Sequence, residues 1–198
     1  MTHITLSPII PRLENGDKLN RPEFERRYSA MPNLKKAELI EGIVYMASPL
    51  RIKNHGNPHA RIITWLGNYW SATPGIELGD NATVRLDLDN EPQPDALLRI
   101  EIGGQSTISE DGYVEGTPEL IVEIAASTAS IDLHKKRNVY RRNGVQEYLV
   151  WRVDDAEFDW FRLNSGEYIQ LEPNSDGIIC SQIFPGLWLD KTALLVGN

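Results

Sequence analysis

The 198-residue chain contains one cysteine, Cys180. A lone thiol can form no internal disulfide, and it excludes a cysteine-built metal site, which needs several thiolates. It reads as a buried, inert group and fits a reducing cytoplasm. No run of about eighteen apolar residues occurs, so no membrane span is expected. The opening MTHITLSPII has no basic run ahead of an apolar one and does not read as a signal peptide. Positive charge is also scarce: 20 Lys and Arg stand against 28 Asp and Glu, a formal net charge of −8. That balance argues against a non-specific polyanion binder, whose affinity comes from neutralising phosphates. It leaves room for a carboxylate cluster working with a divalent cation, because the bound ion resets the local field. Nucleotide-binding glycine motifs are missing. Gly103-Gly104 lacks the lysine and hydroxyl residue of a phosphate loop, and no GxGxxG occurs. There is no internal repeat and no low-complexity tract.

What is present is a globular composition. Five Trp and seven Tyr argue against disorder, and the length suits one domain with one core. Residues 1–20 have little periodicity and read as a loosely attached arm ahead of a single domain over 21–198. Pro22 suits a helix start, with Phe24 and Tyr28 sharing a face. In KKAELIEGIVYMASP, the break at Glu41-Gly42 suggests a tight hairpin or a bent strand. Glu38 then points either toward a site or toward water. Asn57 and Pro58 read as N-cap and first helical position of a helix ending near Ser71 or Thr73. Ile62, Trp65, Leu66 and Tyr69 form its apolar stripe. His55 and His59 flank that start. A zinc pair would need both on one helix face plus a third ligand, and His55, ahead of Pro58, reads as off the helix.

Val84, Leu86 and Leu88 alternate with charged residues as in a half-exposed strand. DLDNEPQP lacks the calcium-loop order and reads as a solvated turn. Pro94 fits the first position of a strand, which puts Asp95 at the sheet's end. PELIVEIAAS is the most informative segment. Leu120, Val122 and Ile124 face one way, and Ile121, Glu123 and Ala125 the other. Both faces are otherwise apolar, as in a central strand. Glu123 is therefore a carboxylate in a strand built for burial, and must be paired, hydrogen-bonded or metal-bound. A structural ion pair is the plain alternative. Ser130 can cap the following helix, which stops at Gly144. Asp132, Lys136 and Tyr140 lie on one of its faces, whereas Lys135 points about a hundred degrees away and reads as solvated. VQEYLVWRV is the next strand. Hairpins follow, and an apolar tail with Phe184, Leu187, Trp188 and Leu189 suits the sheet edge or a partner subunit.

Six segments in order, AELIEGIVYMASP, NPHARI, PQPDALLRI, PELIVEIA, DLHKKRNVY and NGVQEYLVW, resemble the Uma family of the PD-(D/E)XK nuclease superfamily. The match runs from about Ala37 to Leu189. The resemblance implies an α/β (α+β) fold with a restriction-endonuclease-like core: a mixed central sheet flanked by helices, with C-terminal hairpins. It also implies a metal-dependent DNA endonuclease. Pro94-Asp95 and Glu123 match the superfamily's acids, but Ala125 stands where its lysine belongs. Lys136 matches the helix lysine that takes this role in the family. Glu38 matches an early family acid, and His59 the histidine opening the helix. On this reading Asp95 and Glu123 hold Mg2+ or Mn2+, with Glu38 completing the shell or binding a shell water. Lys136 orients water or stabilises charge, and His59 supports from behind. Arg51, Lys53, Arg61, Arg137 and Arg141 are candidates for DNA phosphates. A homodimer suits a two-stranded substrate. The alternatives are a non-catalytic nucleic-acid-binding or interaction protein on a nuclease fold, or a structural protein in which Glu123 simply pairs with a base.

Overall fold

Strands apolar on both faces belong in the middle of a sheet, and that is where PELIVEIA lies. The computed structural model describes residues 10–46, 49–126 and 131–196, with 131–133 described by backbone alone. In chain order the elements are α1 (Arg21–Ser29), β1 (Ala37–Ile40), β2 (Ile43–Met46), α2 (Asn57–Ala72), β3 (Ile76–Asp80), β4 (Val84–Arg85), β5 (Ala96–Ile100), β6 (Ser106–Ile108), β7 (Val114–Gly116) and β8 (Leu120–Ala125). They continue with α3 (Arg137–Asn143), β9 (Glu147–Arg152), β10 (Glu157–Asn164), β11 (Glu167–Gln170), β12 (Ile178–Cys180), β13 (Trp188–Asp190) and α4 (Lys191–Val196). Two π-helical turns, Ile52–Gly56 and Ile131–Lys136, run directly into α2 and α3.

The main sheet has the order β11-β10-β9-β8-β5-β3. β8 and β9 pair in parallel, and the other pairs are antiparallel. It is thus a mixed sheet, with α3 in the β8–β9 crossover. One face packs Ala96, Leu98, Val122, Ile124, Leu149 and Trp160 against Ile62 and Leu66 of α2. The other packs Leu97, Ile121, Ala125, Tyr148 and Val150 against Tyr140 of α3. Every β8 residue is buried, as the alternation predicts. A smaller core of Leu13, Phe24, Ala37, Leu39 and Val44 joins α1 to the β1–β2 hairpin. Among the described residues no helix is long and apolar enough to cross a membrane.

The hairpin turn is the tight form. Ile40 pairs with Ile43, leaving Glu41-Gly42 as a two-residue loop. Both have positive φ, 54° and 71°, the geometry that matches strand twist and calls for glycine. The left-handed Glu41 is held by its N–H donating to Asn90 Oδ1 at 2.8 Å.

Four sequence expectations change. Residues 13–19 are not a loose arm: Leu13 is buried, and Gly16 N–H and Leu19 N–H donate to the Val44 and Gly42 carbonyls at 2.8 Å each. The half-exposed strand at 84–88 shortens to Val84–Arg85, because Asp87 instead closes a turn on Asn90. Asn57 is inside the helix (φ −70°, ψ −47°) rather than capping it. The tail packs Phe184, Leu187 and Leu189 into the α2-side core, not on a sheet edge. The proposed cap Ser130 and the side chain of Asp132 lie outside the described residues.

Candidate active site

β5 and β8 bring the two strand acids together. Ala96 pairs with Val122 and Leu97 with Ile121, and the same register carries Asp95 opposite Glu123. At this end of the sheet Glu123 turns to Lys136 and Tyr140 on the α3 side, whereas Asp95, one residue before β5, turns to His55 and the Ile124 N–H. Both carboxylates are buried, so each needs partners.

Glu123 Oε1 accepts from Lys136 Nζ at 3.0 Å and from the Tyr140 hydroxyl at 2.7 Å. The i, i+4 line read from the sequence thus aims at this acid. Lys136 Nζ also donates to Glu38 Oε1 at 2.8 Å, and Glu38 Oε1 accepts the Gln93 N–H at 2.7 Å. Glu38 therefore points into the site and not to water. Lys136, 5% exposed at its side chain, ties the β1–β2 hairpin to the central strand.

Asp95 is held differently. Its Oδ2 accepts the Ile124 N–H at 2.7 Å, and its Oδ1 lies 3.1 Å from His55 Nε2 and 3.8 Å from Lys36 Nζ. Burial pushes the Asp95 carboxyl up. The His55 hydrogen bond, the Lys36 charge and the Ile124 N–H outweigh it and hold the group below the usual carboxylate range. His59 supports the same residue from behind: its Nε2 is 3.1 Å from the Asp95 carbonyl oxygen and 3.0 Å from Asp80 Oδ1.

Glu38, Glu123 and Lys136 bond directly to one another, and Asp95 and His59 form a second group joined to the first through Asn81 and Gln93. His55, Lys36 and Gln93 join them, and no spacing or motif marks these three as a group. His55 reads as off the helix because Pro58 imitates a helix start; the π-turn ahead of Pro58 keeps it on the helical body, its ring stacked 5.7 Å from that of His59. Lys135 is not simply solvated, since its Nζ donates to the Tyr45 hydroxyl at 2.8 Å. Of the basic residues assigned to phosphates, Arg61 instead donates to the Leu194 carbonyl at 3.1 Å.

The donor chemistry suits a hard cation. Mg2+ is commonly held by one or two carboxylates plus substrate phosphates, and Asp95 and Glu123 supply two from adjacent strands. A three-acid cage is not formed: among the described residues no group of three or more His, Cys, Asp and Glu is arranged to hold a metal. Glu38 Oε1 is engaged by Lys136 and by the Gln93 N–H.

A mixed central sheet flanked by helices resembles the architecture of PD-(D/E)XK-like nucleases. Residues 21–192 match the Uma2 family, described as "Putative restriction endonuclease", and the chain belongs to it. Among solved structures it is similar to one described as a "putative nuclease belonging to DUF820" from Anabaena variabilis ATCC 29413. The TM-score is 0.66 at 14% identity, covering 86% of this chain and 96% of that one. At that identity the likeness concerns the fold alone. No curated protein matches the chain.

Proposed function

We propose that this chain is a metal-dependent endonuclease that hydrolyses DNA phosphodiester bonds, with 21–198 as one domain. The observation that carries the reading is Lys136 Nζ, held at 2.8 and 3.0 Å between Glu38 and Glu123, beside a second strand acid in opposing register. Asp95 and Glu123 would hold Mg2+ or Mn2+. Such an ion supplies Lewis-acid polarisation of a phosphoryl oxygen and makes water easier to deprotonate.

The chain's own residues do the positioning. The Tyr140 hydroxyl fixes Glu123, and His55 and the Ile124 N–H fix Asp95. His59 steadies the Asp95 backbone. Lys136 presents an ammonium, oriented by Glu38, to charge that grows on the phosphoryl oxygens. This does the work of the lysine absent at Ala125. A duplex has two strands to cut, and a homodimer is the working unit we expect on it.

A second reading is favoured by the alanine at position 125 and by the net charge of −8: a nucleic-acid-binding protein on this fold without turnover. One experiment separates the two. Plasmid, linear duplex, single strand, RNA and branched DNA are incubated with EDTA, Mg2+ or Mn2+ and either parent or Lys136→Ala protein. The nuclease reading expects metal-dependent cutting that is lost in the variant. Binding without cutting in any metal would replace it with the second reading. Isothermal titration of Mg2+ and Mn2+ into parent and Glu123→Ala checks the ion site separately, and equal affinity in the two would remove Glu123 from it.

A further inference from the structure

In a chain of net charge −8, a cluster of cationic side chains in which one keeps no acid partner is informative. His134, Arg137 and Arg141 recur at spacings of three and four along the segment that ends in α3. They share a flank about a hundred degrees round from Lys136 and Tyr140. Opposite them, β9, β10 and β11 contribute Arg152, Phe161 and Tyr168, together with the carboxylates of Asp159 and Glu167. Two hollows of about 350 and 250 Å³ lie between these walls, and His134 and Arg137 line both.

The charges in this groove are not equally occupied. Arg152 is bonded to Asp159 at 2.8 Å and to Asp155 at 2.9 Å. Arg141 donates to Glu167 at 3.1 Å and to the Gly166 carbonyl at 2.7 Å. Arg137 makes no ion pair among the described residues. Its guanidinium carbon instead sits 4.2 Å from the centroid of the Phe161 ring, and His134 beside it is exposed. Stacking occupies the face of a guanidinium and leaves its in-plane N–H donors open. A planar fork fixed in this way matches phosphate oxygens. Arg137 also follows Lys136 directly, so the groove and the acid cluster occupy two flanks of one helical segment.

We propose that this groove seats the phosphodiester backbone of a nucleic-acid strand, with a phosphate between Arg137 and His134, beside the site where that strand is cut. The assignment rests on the nuclease reading. It gives the scaffold a guiding contact that adds affinity without reading bases.

The test is fluorescence anisotropy with labelled single-stranded and duplex oligonucleotides across a salt series, with Ca2+ in place of Mg2+. Arg137→Met keeps the packing over Phe161 and removes the charge. His134→Ala changes only an exposed side chain, and it decides the matter if Arg137→Met does not fold. The expected result is weaker binding, about fivefold or more for Arg137→Met, with the log–log salt slope smaller by about 1. Parent-like affinity and slope in both variants would overturn the groove and leave the nuclease reading intact. A parent protein that binds neither oligonucleotide overturns both.

Discussion

A buried ammonium must keep its charge partnered, because desolvating it unpaired is costly. Among the described residues Lys136 meets this with two carboxylates, each of which has a second donor of its own, Gln93 N–H for Glu38 and the Tyr140 hydroxyl for Glu123. Such an arrangement serves geometry more than stability. Replacing a whole buried ion pair is often neutral, whereas removing one partner costs about 3–5 kcal/mol. Lys136→Met is therefore expected to lower the urea unfolding free energy by roughly 3 kcal/mol, since it leaves Glu38 and Glu123 facing each other without a cation. Lys136→Met combined with Glu123→Leu and Glu38→Leu should recover much of that loss while abolishing any metal-dependent activity. Equilibrium denaturation of the two proteins makes the comparison. A single mutant as stable as the parent would show that the lysine is not what holds the hairpin to the sheet.

At the scale of elements, the site is delivered by two helices that begin in the same way. Each is preceded by a π-turn, and each turn ends near an acid: Ile52–Gly56 brings His55 to Asp95, and Ile131–Lys136 brings Lys136 to Glu123. π-turns are often found at functional sites, and here one runs into each helix that carries site residues. This explains what the sequence shows and what it hides. Glu123 is legible because a charge interrupts two apolar faces. The Lys136–Tyr140 line is legible because the i, i+4 spacing holds across the join between the π-turn, which ends at Lys136, and α3. His55 is not, because local propensity favours Pro58 as a helix start and says nothing of a wider turn before it. The stop of α3 is legible for a conformational reason: Gly144 has φ +85°. A Cβ there would meet nothing nearer than Gln105 Oε1 at 3.9 Å, so any cost of Gly144→Ala comes from the backbone alone. We expect about 1 kcal/mol of destabilisation, read from thermal melts, with Gly144→Asn milder because asparagine tolerates this region better. A loss of several kcal/mol would mean that packing, and not conformation, fixes the glycine.

Across the whole molecule, buried carboxylates do more than build the site, and these were the least legible of all. Glu147 looks like an ordinary strand residue in sequence. It is fully buried and accepts from Trp160 Nε1 at 3.2 Å, Ser181 Oγ at 2.8 Å and the Gln182 N–H at 2.7 Å, so it clamps the C-terminal segment to the sheet. Its partners lie 13 to 35 residues downstream, a separation that no local pattern reports. Glu91 does something similar between the smaller core and the rest, and it makes the fold sensitive to pH. Its backbone pairs with Leu39, next to Glu38, while its side chain is enclosed with Glu25 of α1 and Arg85 of β4, with Arg85 Nε 2.9 Å from Glu25 and 3.9 Å from Glu91. Burial first, and the adjoining Glu25 carboxyl second, push the Glu91 carboxyl up to about 8 from an ordinary 4.5, against the pull of Arg85 and Arg21. The folded protein therefore holds a proton that the unfolded chain has released between those two values. Stability from this group is complete below about pH 4.5 and is lost as pH rises through about 8. Melting temperature should fall by several degrees from pH 6 to pH 9, and Glu91→Gln, which cannot ionise, should flatten that fall. If the variant melts with the same pH slope as the parent, the alkaline sensitivity has another source. If the slope flattens, the contact between α1 and the Glu38 hairpin depends on one retained proton.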